Sequence, residues 1–468
     1  MTTLSNILVP SNILTTSNTC TVTNKTISGA NNTLTVRMAN DVSGTLPVAN
    51  GGTGQTSYTD GQLLIGNTTG NTLSKNTLTA GTDIVITNGN GSISIEYVPP
   101  DVNSIYSWGC NSVGQLGDNT IVSRSSPVSV VGGYTDWCQV SGGYKHSVGV
   151  RTNGTAWAWG DGGAGRLGDN TTVSKSSPVI VIGGFTDWCQ VSAGDGSSLG
   201  VRQNGTAWGW GCNSYGRLGD NTGTARSSPV SVVGGFTDWC QIATNTNSSV
   251  PHSLAVRQNG TAWAWGSNSC GKLGDGTTTT RSSPVSVIGG FTDWSQVDAG
   301  MCQSFGVRTN GTLWSWGYAG TGVLGNGDTA AKSSPVSVVG GFTDWCQVSA
   351  GCIHTMAVRT GGTLWAWGFN ECGQLGNNIA GFSDNTSPVS VVGGFTNWCQ
   401  VSAGGKHSLG VRQNGTAWGW GAGGAGQLGD NTGTARSSPV SVVGGFTNWC
   451  QVSAGCLHSL GISSEVYA

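Results

Sequence analysis

Charge is the first thing this 468-residue chain has little of. Lys, Arg, Asp and Glu make up 9% of it and leave a formal net charge of −2, which gives no long-range pull toward nucleic acid or an anionic membrane surface. No run of about 18 apolar residues is present, so insertion into a membrane is not expected. Met1 to Cys20 lack a basic stretch followed by an apolar core, so no secretory signal is read there and synthesis in a cytoplasm is expected. No G-x-S-x-G or P-loop pattern occurs, and no His/Cys/Asp cluster has zinc-ligand spacing. The expectation is a protein that is not an enzyme and carries no cofactor or metal. What is abundant is Gly, at 79, and Trp, at 20, with 36% hydrophobic residues. That composition does not describe a disordered chain, which combines high net charge with few aromatics.

Self-similarity decides the fold class. The dipeptide Trp-Gly begins at Trp108, Trp159, Trp210, Trp265, Trp316, Trp367 and Trp420, with spacings of 51, 51, 55, 51, 51 and 53. Each copy runs T-A-W-A-W-G, G-x-L-G-D-N, S-S-P-V-x-V-x-G-G-F-T-D-W-C-Q-V-S-A-G, then H-S-L-G-V-R-x-N-G. Three Trp per copy would give 21, and Tyr106 stands where the missing one belongs. Thr155 to Trp159 alternates large and small, which is a strand period. Pro178 to Ile182, Cys189 to Ser192 and Ser198 to Arg202 are short apolar or β-branched runs bounded by Gly. The Asn-Gly pairs at Asn153, Asn204, Asn259, Asn310 and Asn414 predict type I′ hairpins. Four short strands per repeat of about 50 residues is the arithmetic of a propeller blade.

A solenoid would fit the same period, so the ends of the array arbitrate. Ser459 to Ile462 is followed by no T-A-W-x-W-G strand, and Ser104 to Gly109 supplies that strand with no hairpin partner before it. Pairing the two closes a ring and removes an exposed edge. The fold class expected is all-β, a seven-bladed β-propeller over 101–468, preceded over 1–100 by a β-rich, Gly/Asn/Thr-rich segment.

The motifs G-x-x-H-S-x-x-V, W-G-x-N-x-x-G-x-L-G and S-P-x-x-V resemble the regulator-of-chromosome-condensation repeats, from residue 103 to about 464. The founding member of that family is an exchange factor for a nuclear GTPase that also docks on chromatin; relatives include ubiquitin-ligase scaffolds and plain binding modules. The resemblance therefore implies the fold and leaves the function open.

The first hundred residues contain no Trp and no copy of the repeat. Gly44 to Ser57, Gly61 to Asn67, Leu78 to Ile84 and the Asn-Gly-Asn-Gly stretch at Asn88 to Gly91 resemble collar and shaft modules of bacteriophage tail fibres. Strands are expected at Leu63 to Ile65, Asp83 to Ile86 and Ser92 to Glu96. The resemblance implies a trimer, attached through 1–100 to virion tail or capsid proteins.

Residues that could carry chemistry mostly recur. The five His, at 146, 252, 354, 407 and 458, share one register, as do Asp136, Asp187, Asp238, Asp293 and Asp344, expected to cap turns. Cys138, Cys189, Cys240, Cys346, Cys399 and Cys450 all follow Trp in W-C-Q; they are expected to be reduced and buried, since neighbouring blades hold them beyond disulfide reach. Fifteen of the 17 Lys and Arg after residue 100 sit in repeat registers, leaving Lys145 and Lys406, too few for a nucleic-acid footprint.

Function is then sought where copies disagree. Thr244 to Pro251 carries four extra residues and Asn377 to Thr386 two. The contact candidates are Asn247, Pro251, Tyr318, Phe369, Phe382 and Asp384. The expectation from these features together is a virion fibre, localised to the particle, whose propeller touches a glycan or protein on a host surface. The alternatives are a structural virion protein without a receptor, or an intracellular protein-binding scaffold or GTPase exchange factor.

Overall fold

The computed structural model describes residues 62–67, 72–77, 79, 84–89, 92–97, 102–245, 250–381 and 383–465. The chain divides into two units, Met1–Val98 and Pro99–Ala468. In the first, two antiparallel hairpins are described: Gln62–Asn67 with Thr72–Thr77, and Ile84–Gly89 with Ser92–Tyr97. The strand Thr72–Thr77 adds to those expected, because its Thr, Ser and Asn residues give no apolar alternation. Most of the stretch that resembles a tail fibre, 44–61 included, lies outside the described residues.

The second unit is a ring of seven four-stranded antiparallel sheets. Blade 1 consists of Trp137–Gly142, His146–Arg151, Ala156–Gly160 and Lys175–Ile180. Blades 2 to 6 repeat it with first strands Trp188–Ala193, Trp239–Thr244, Trp294–Ala299, Trp345–Ala350 and Trp398–Ala403. Blade 7 takes Trp449–Ala454 and His458–Glu465 from the end of the chain, and Val102–Gly109 and Arg124–Ser129 from before blade 1. Its seam pairs Ser459 with Trp108 and Ile462 with Ile105, as the truncated last copy requires.

The turns explain the strand ends, with one correction. At Gln203-Asn204-Gly205 only the glycine has positive φ, +74°, and the Asn residues of the other copies likewise keep negative φ. The loop has three residues, not two. A three-residue hairpin needs the left-handed conformation only at its last position. Asn204 Oδ1 instead accepts from Thr206 N at 3.1 Å and Thr206 Oγ1 at 2.7 Å. A Cβ on Gly205 would lie 2.1 Å from the Thr237 carbonyl oxygen, so no other residue fits.

The core lies between blades. Ile105, Leu460 and Ile462 of blade 7 pack with Trp137, Val140 and Trp159 of blade 1, and the other joints repeat this. The second Trp of each T-A-W-x-W-G is fully buried; Trp108 Nε1, for example, donates to the Gln427 carbonyl of blade 6 at 2.9 Å. Tyr106, in the Trp register, packs on Phe446 at 4.6 Å as Trp157 packs on Tyr134 at 5.0 Å. The register Asp residues do not cap turns: Asp187 pairs with Arg202 at 2.7 Å, and that guanidinium lies 4.0 Å from the Phe185 ring. The W-C-Q thiols are exposed, contrary to expectation, because the first strand turns alternate residues toward solvent where it begins.

Candidate functional site

Strand direction divides the ring into two faces. First strands end where the loops to the His-Ser strands begin, and third strands end on the same side, so both sets of loops share one face. The opposite face carries the Asn-Gly turns and the G-G-F-T-D loops. Those two loop types keep one length throughout, whereas the loop after Thr244 is four residues longer than its equivalents and that after Gly368 two longer. Tyr318 and Phe369 also follow third strands. The described candidate contact residues, Pro251, Tyr318, Phe369 and Asp384, therefore belong to one face.

Their individual settings differ. Tyr318 is 39% exposed and is anchored by its N–H to the Cys302 carbonyl at 2.9 Å. Phe369 is half-buried, with its N–H on the Ile353 carbonyl at 2.9 Å. Asp384 is exposed, with its carboxyl raised by desolvation. Pro251 is buried, and its carbonyl accepts from Ser267 N at 2.9 Å, so it fixes the base of the longer loop. Asn247 and Phe382 lie outside the described residues.

Beneath this face, the recurring polar residues bond blade to blade. Gln139 Oε1 accepts from Val191 N at 2.7 Å, and the same step repeats through Gln190, Gln241, Gln296, Gln347, Gln400 and Gln451, the last reaching Val140 N at 3.0 Å. This closed girdle lines an axial channel of about 280 Å³. Two residues further, Ser141 Oγ accepts from Ala193 N, and Ser192, Ser349, Ser402 and Ser453 do the same in their blades.

The register breaks at blades 3 and 4, and the break is coupled. Ala243 has no hydroxyl to offer Ala299 N. Asp298 takes that N–H on Oδ1 at 2.9 Å and also reaches Ala350 N in blade 5 with Oδ2 at 2.8 Å. It is the one acid among the channel-lining residues, and burial raises its carboxyl to about 6 despite the two N–H groups. The pair is visible in the sequence as the two departures, Ala243 and Asp298, from a register that is Ser in the other five copies.

The five His are fully buried, and each Nε2 bonds the Ser that stands one residue past the His position in the next blade, as His146 does with Ser198 at 2.9 Å. Each Ser passes the bond on to a loop carbonyl; Ser198 donates to Arg166 O at 2.9 Å. Burial holds His354 and His407 down to about 3 and His458 to about 4, so all three are neutral imidazoles at physiological pH. Gln303 replaces one of them and donates to the Gly351 carbonyl at 2.9 Å. These histidines are structural.

The face also holds three cations in equivalent positions, Arg166, Arg217 and Lys272. Arg166 binds Asp161 at 3.2 Å, Arg217 lies 3.9 Å from Asp195, and Lys272 donates to the Val250 carbonyl and to Ser269 Oγ. Burial lowers Lys272 to about 8. Lys406 pairs with Glu371 at 2.8 Å. Among the described residues no group of three or more His, Cys, Asp or Glu could hold a metal ion, and no helix is long and apolar enough to cross a membrane.

A family model of the regulator of chromosome condensation (RCC1) repeat matches residues 103–150, 153–201, 204–250, 310–358, 361–411 and 414–462. The chain belongs to the RCC1 repeat family. Its relatives in that family include the ultraviolet-B receptor UVR8 of Arabidopsis thaliana, 30% identical over 368 residues, covering 76% of this chain and 81% of UVR8. The mitochondrial RCC1 domain-containing protein RUG3 of the same plant is 25% identical, covering 71% and 82%. The mouse E3 ubiquitin-protein ligase HERC2 is 27% identical, covering 65% of this chain but 6% of its own length. Among solved structures, Prp20p of Saccharomyces cerevisiae superposes with a TM-score of 0.70 at 20% identity, covering 79% of this chain and 93% of Prp20p. Human WBSCR16 superposes at 0.67 and 18%, covering 78% and 99%. These likenesses fit the scaffold or exchange-factor alternative better than the virion fibre, to which they lend nothing.

Proposed function

We propose that the propeller is a docking module that holds a protein partner against its variable loop face, the scaffold reading of the sequence. One observation carries this. Every change of loop length between copies, and the aromatic Tyr318 and Phe369 that follow Trp-Gly where the other copies have Cys, Asp, Ser or Ala, fall on a single face, while the recurring Gln, Ser and His residues are occupied in bonds between blades. Loops placed by a rigid frame are where binding residues concentrate. A protein partner fits better than a nucleic acid, because the cations of this face, except Lys145 beside the Tyr144 ring, are paired with carboxylates or buried rather than arrayed toward solvent. The relatives are in keeping with it: the Prp20p structure is described together with binding to Gsp1p and histones, and HERC2 is a ubiquitin-protein ligase. The test is cross-linking of the full chain in its source cells, followed by mass spectrometry. Cross-links to a partner should gather on the loop face and be reduced by Tyr318→Ala with Asp384→Ala, both exposed positions whose loss leaves the core intact. Cross-links gathered on the Asn-Gly face, unaffected by those changes, would reverse the assignment.

A further inference from the structure

The loops that join first and second strands interlock over one mouth of the axial channel. Cys352 N donates to the Gly404 carbonyl of blade 6 at 3.2 Å, Gly405 N to the Gly455 carbonyl of blade 7 at 3.3 Å, and Cys456 N to the Gly143 carbonyl of blade 1 at 3.1 Å. Cys352, Gly405 and Cys456 occupy the same place in three successive blades, the residue just after the Gly of A-G or G-G. The middle one has no side chain. A Cβ on Gly405 would come within 3.1 Å of Cys456 Sγ and 2.5 Å of its carbonyl oxygen, so only glycine leaves that space open. Across it the side chains of Cys352 and Cys456, two blades apart, are hydrogen-bonded to each other. Both are 5% exposed, unlike the W-C-Q thiols, each of which bonds a backbone carbonyl of its own blade.

We propose that Cys352 and Cys456 are a redox-active pair, and that a peroxide converts them to a disulfide that staples blade 5 to blade 7 across blade 6. The Cys456 thiolate attacks the peroxide O–O bond, forming an S–O bond and releasing hydroxide in the case of hydrogen peroxide. The Cys352 thiol then displaces hydroxide from the sulfenic acid, forming the S–S bond and giving up its proton. Two thiols and one hydrogen peroxide become one disulfide and two waters. Cys456 is the better first nucleophile: the Cys352 hydrogen bond holds its thiol below the usual range and Lys145 adds to this, against burial and Asp195. A bond joining residues 352 and 456 closes a long loop, so it constrains the unfolded chain strongly.

The experiment treats the full reduced chain with hydrogen peroxide, quenches with an alkylating agent and maps non-reduced peptides. The Cys352–Cys456 cross-linked peptide should appear, with a melting temperature raised by about 5 °C and restored by dithiothreitol. In Cys352→Ser, Cys456 should be trapped by dimedone as the sulfenic acid and the melting temperature should not rise. Recovery of both thiols alkylated after treatment that oxidises the exposed W-C-Q cysteines would overturn the proposal. So would a cross-link that forms only after the chain has been unfolded, a comparison the wild-type protein allows without any variant.

Discussion

At the scale of single residues, the molecule rests on positions where one residue type alone satisfies the geometry. Gly205 and Gly184 both have positive φ, +74° and +69°, yet a Cβ on Gly205 meets the Thr237 carbonyl and one on Gly184 meets nothing within 4 Å. Gly184→Ala should cost about 1 kcal/mol from backbone strain alone, and Gly205→Ala two or three times as much, measurable as a difference in thermal or denaturant midpoints. The buried His make a second prediction. Each binds its proton less readily in the folded than in the unfolded state, where its pKa is about 6.5, so its stabilising contribution is complete above that pH and is lost as pH falls toward the folded values. For His354 and His407 that window runs down to about 3 and for His458 to about 4. At pH 5 each should cost roughly 2 kcal/mol. Asp298 works the other way: raised to about 6, it gains relative stability as pH falls from there toward its ordinary value, one group against five. A melting temperature that drops steeply from pH 7 to 5, and less steeply in His407→Gln, is the expected result. Gln303 shows that the register accepts that side chain.

At the scale of elements, the first strands depend on side chains lent by the blade before. The exchange between Ala243 and Asp298 predicts a specific non-additivity. Asp298→Ser returns the local residue to its register but leaves Ala299 N without an acceptor, at a cost of about 1–3 kcal/mol. Adding Ala243→Ser supplies that acceptor and should recover most of the loss, while Ala243→Ser alone should change little because Asp298 already holds the N–H. A double-mutant cycle on melting temperatures reads the coupling directly. Much of this level was legible from sequence. The strand-turn-strand rhythm, the second Trp as core and the His as bonding residues all follow from period and register. The turn type was misread because Asn-Gly looks alike in two-residue and three-residue hairpins, and only the φ of Asn204 separates them. The exposed thiol ring was misread because Cys is usually buried, and which side of a first strand faces its neighbour is set by packing around the axis. The Cys352–Cys456 contact was hidden because it joins residues two copies apart through a position that is notable only for being glycine.

At the scale of the whole molecule, the seam in blade 7 is the one joint made from distant parts of the chain. Val102–Gly109 and His458–Glu465 pair over their full lengths, Val102 opposite Glu465. Deleting residues 101–108 would strip Trp108 from the core it shares with Trp449 and leave blade 7 an open edge. The melting temperature should fall by far more than on removing 466–468, and an unchanged value would mean that the ring does not depend on closure. Seven blades and closure were readable because the spacing of Trp-Gly counts the units and the partnerless first strand names its partner. That the variable loops share one face was not, since it needs strand direction to show that two kinds of loop lie on the same side.

The seam also sets a clock. Strand Val102–Gly109 leaves the ribosome before any other part of the ring, and the strand it must pair with leaves last, roughly 350 residues later. At synthesis rates of about 5–20 residues per second that delay is on the order of 20–70 s. Through all of it the first strand has its Arg124–Ser129 neighbour on one side and unmet N–H and carbonyl groups on the other. Blades 1 to 6 are each built from consecutive chain and can form in turn as they emerge, so a nascent chain is an arc that lengthens blade by blade with one waiting edge at its start. A pause, a truncation or a frameshift anywhere in the last copy therefore leaves a nearly complete structure that cannot shut, and quality control would meet it as an exposed strand rather than as an unfolded chain.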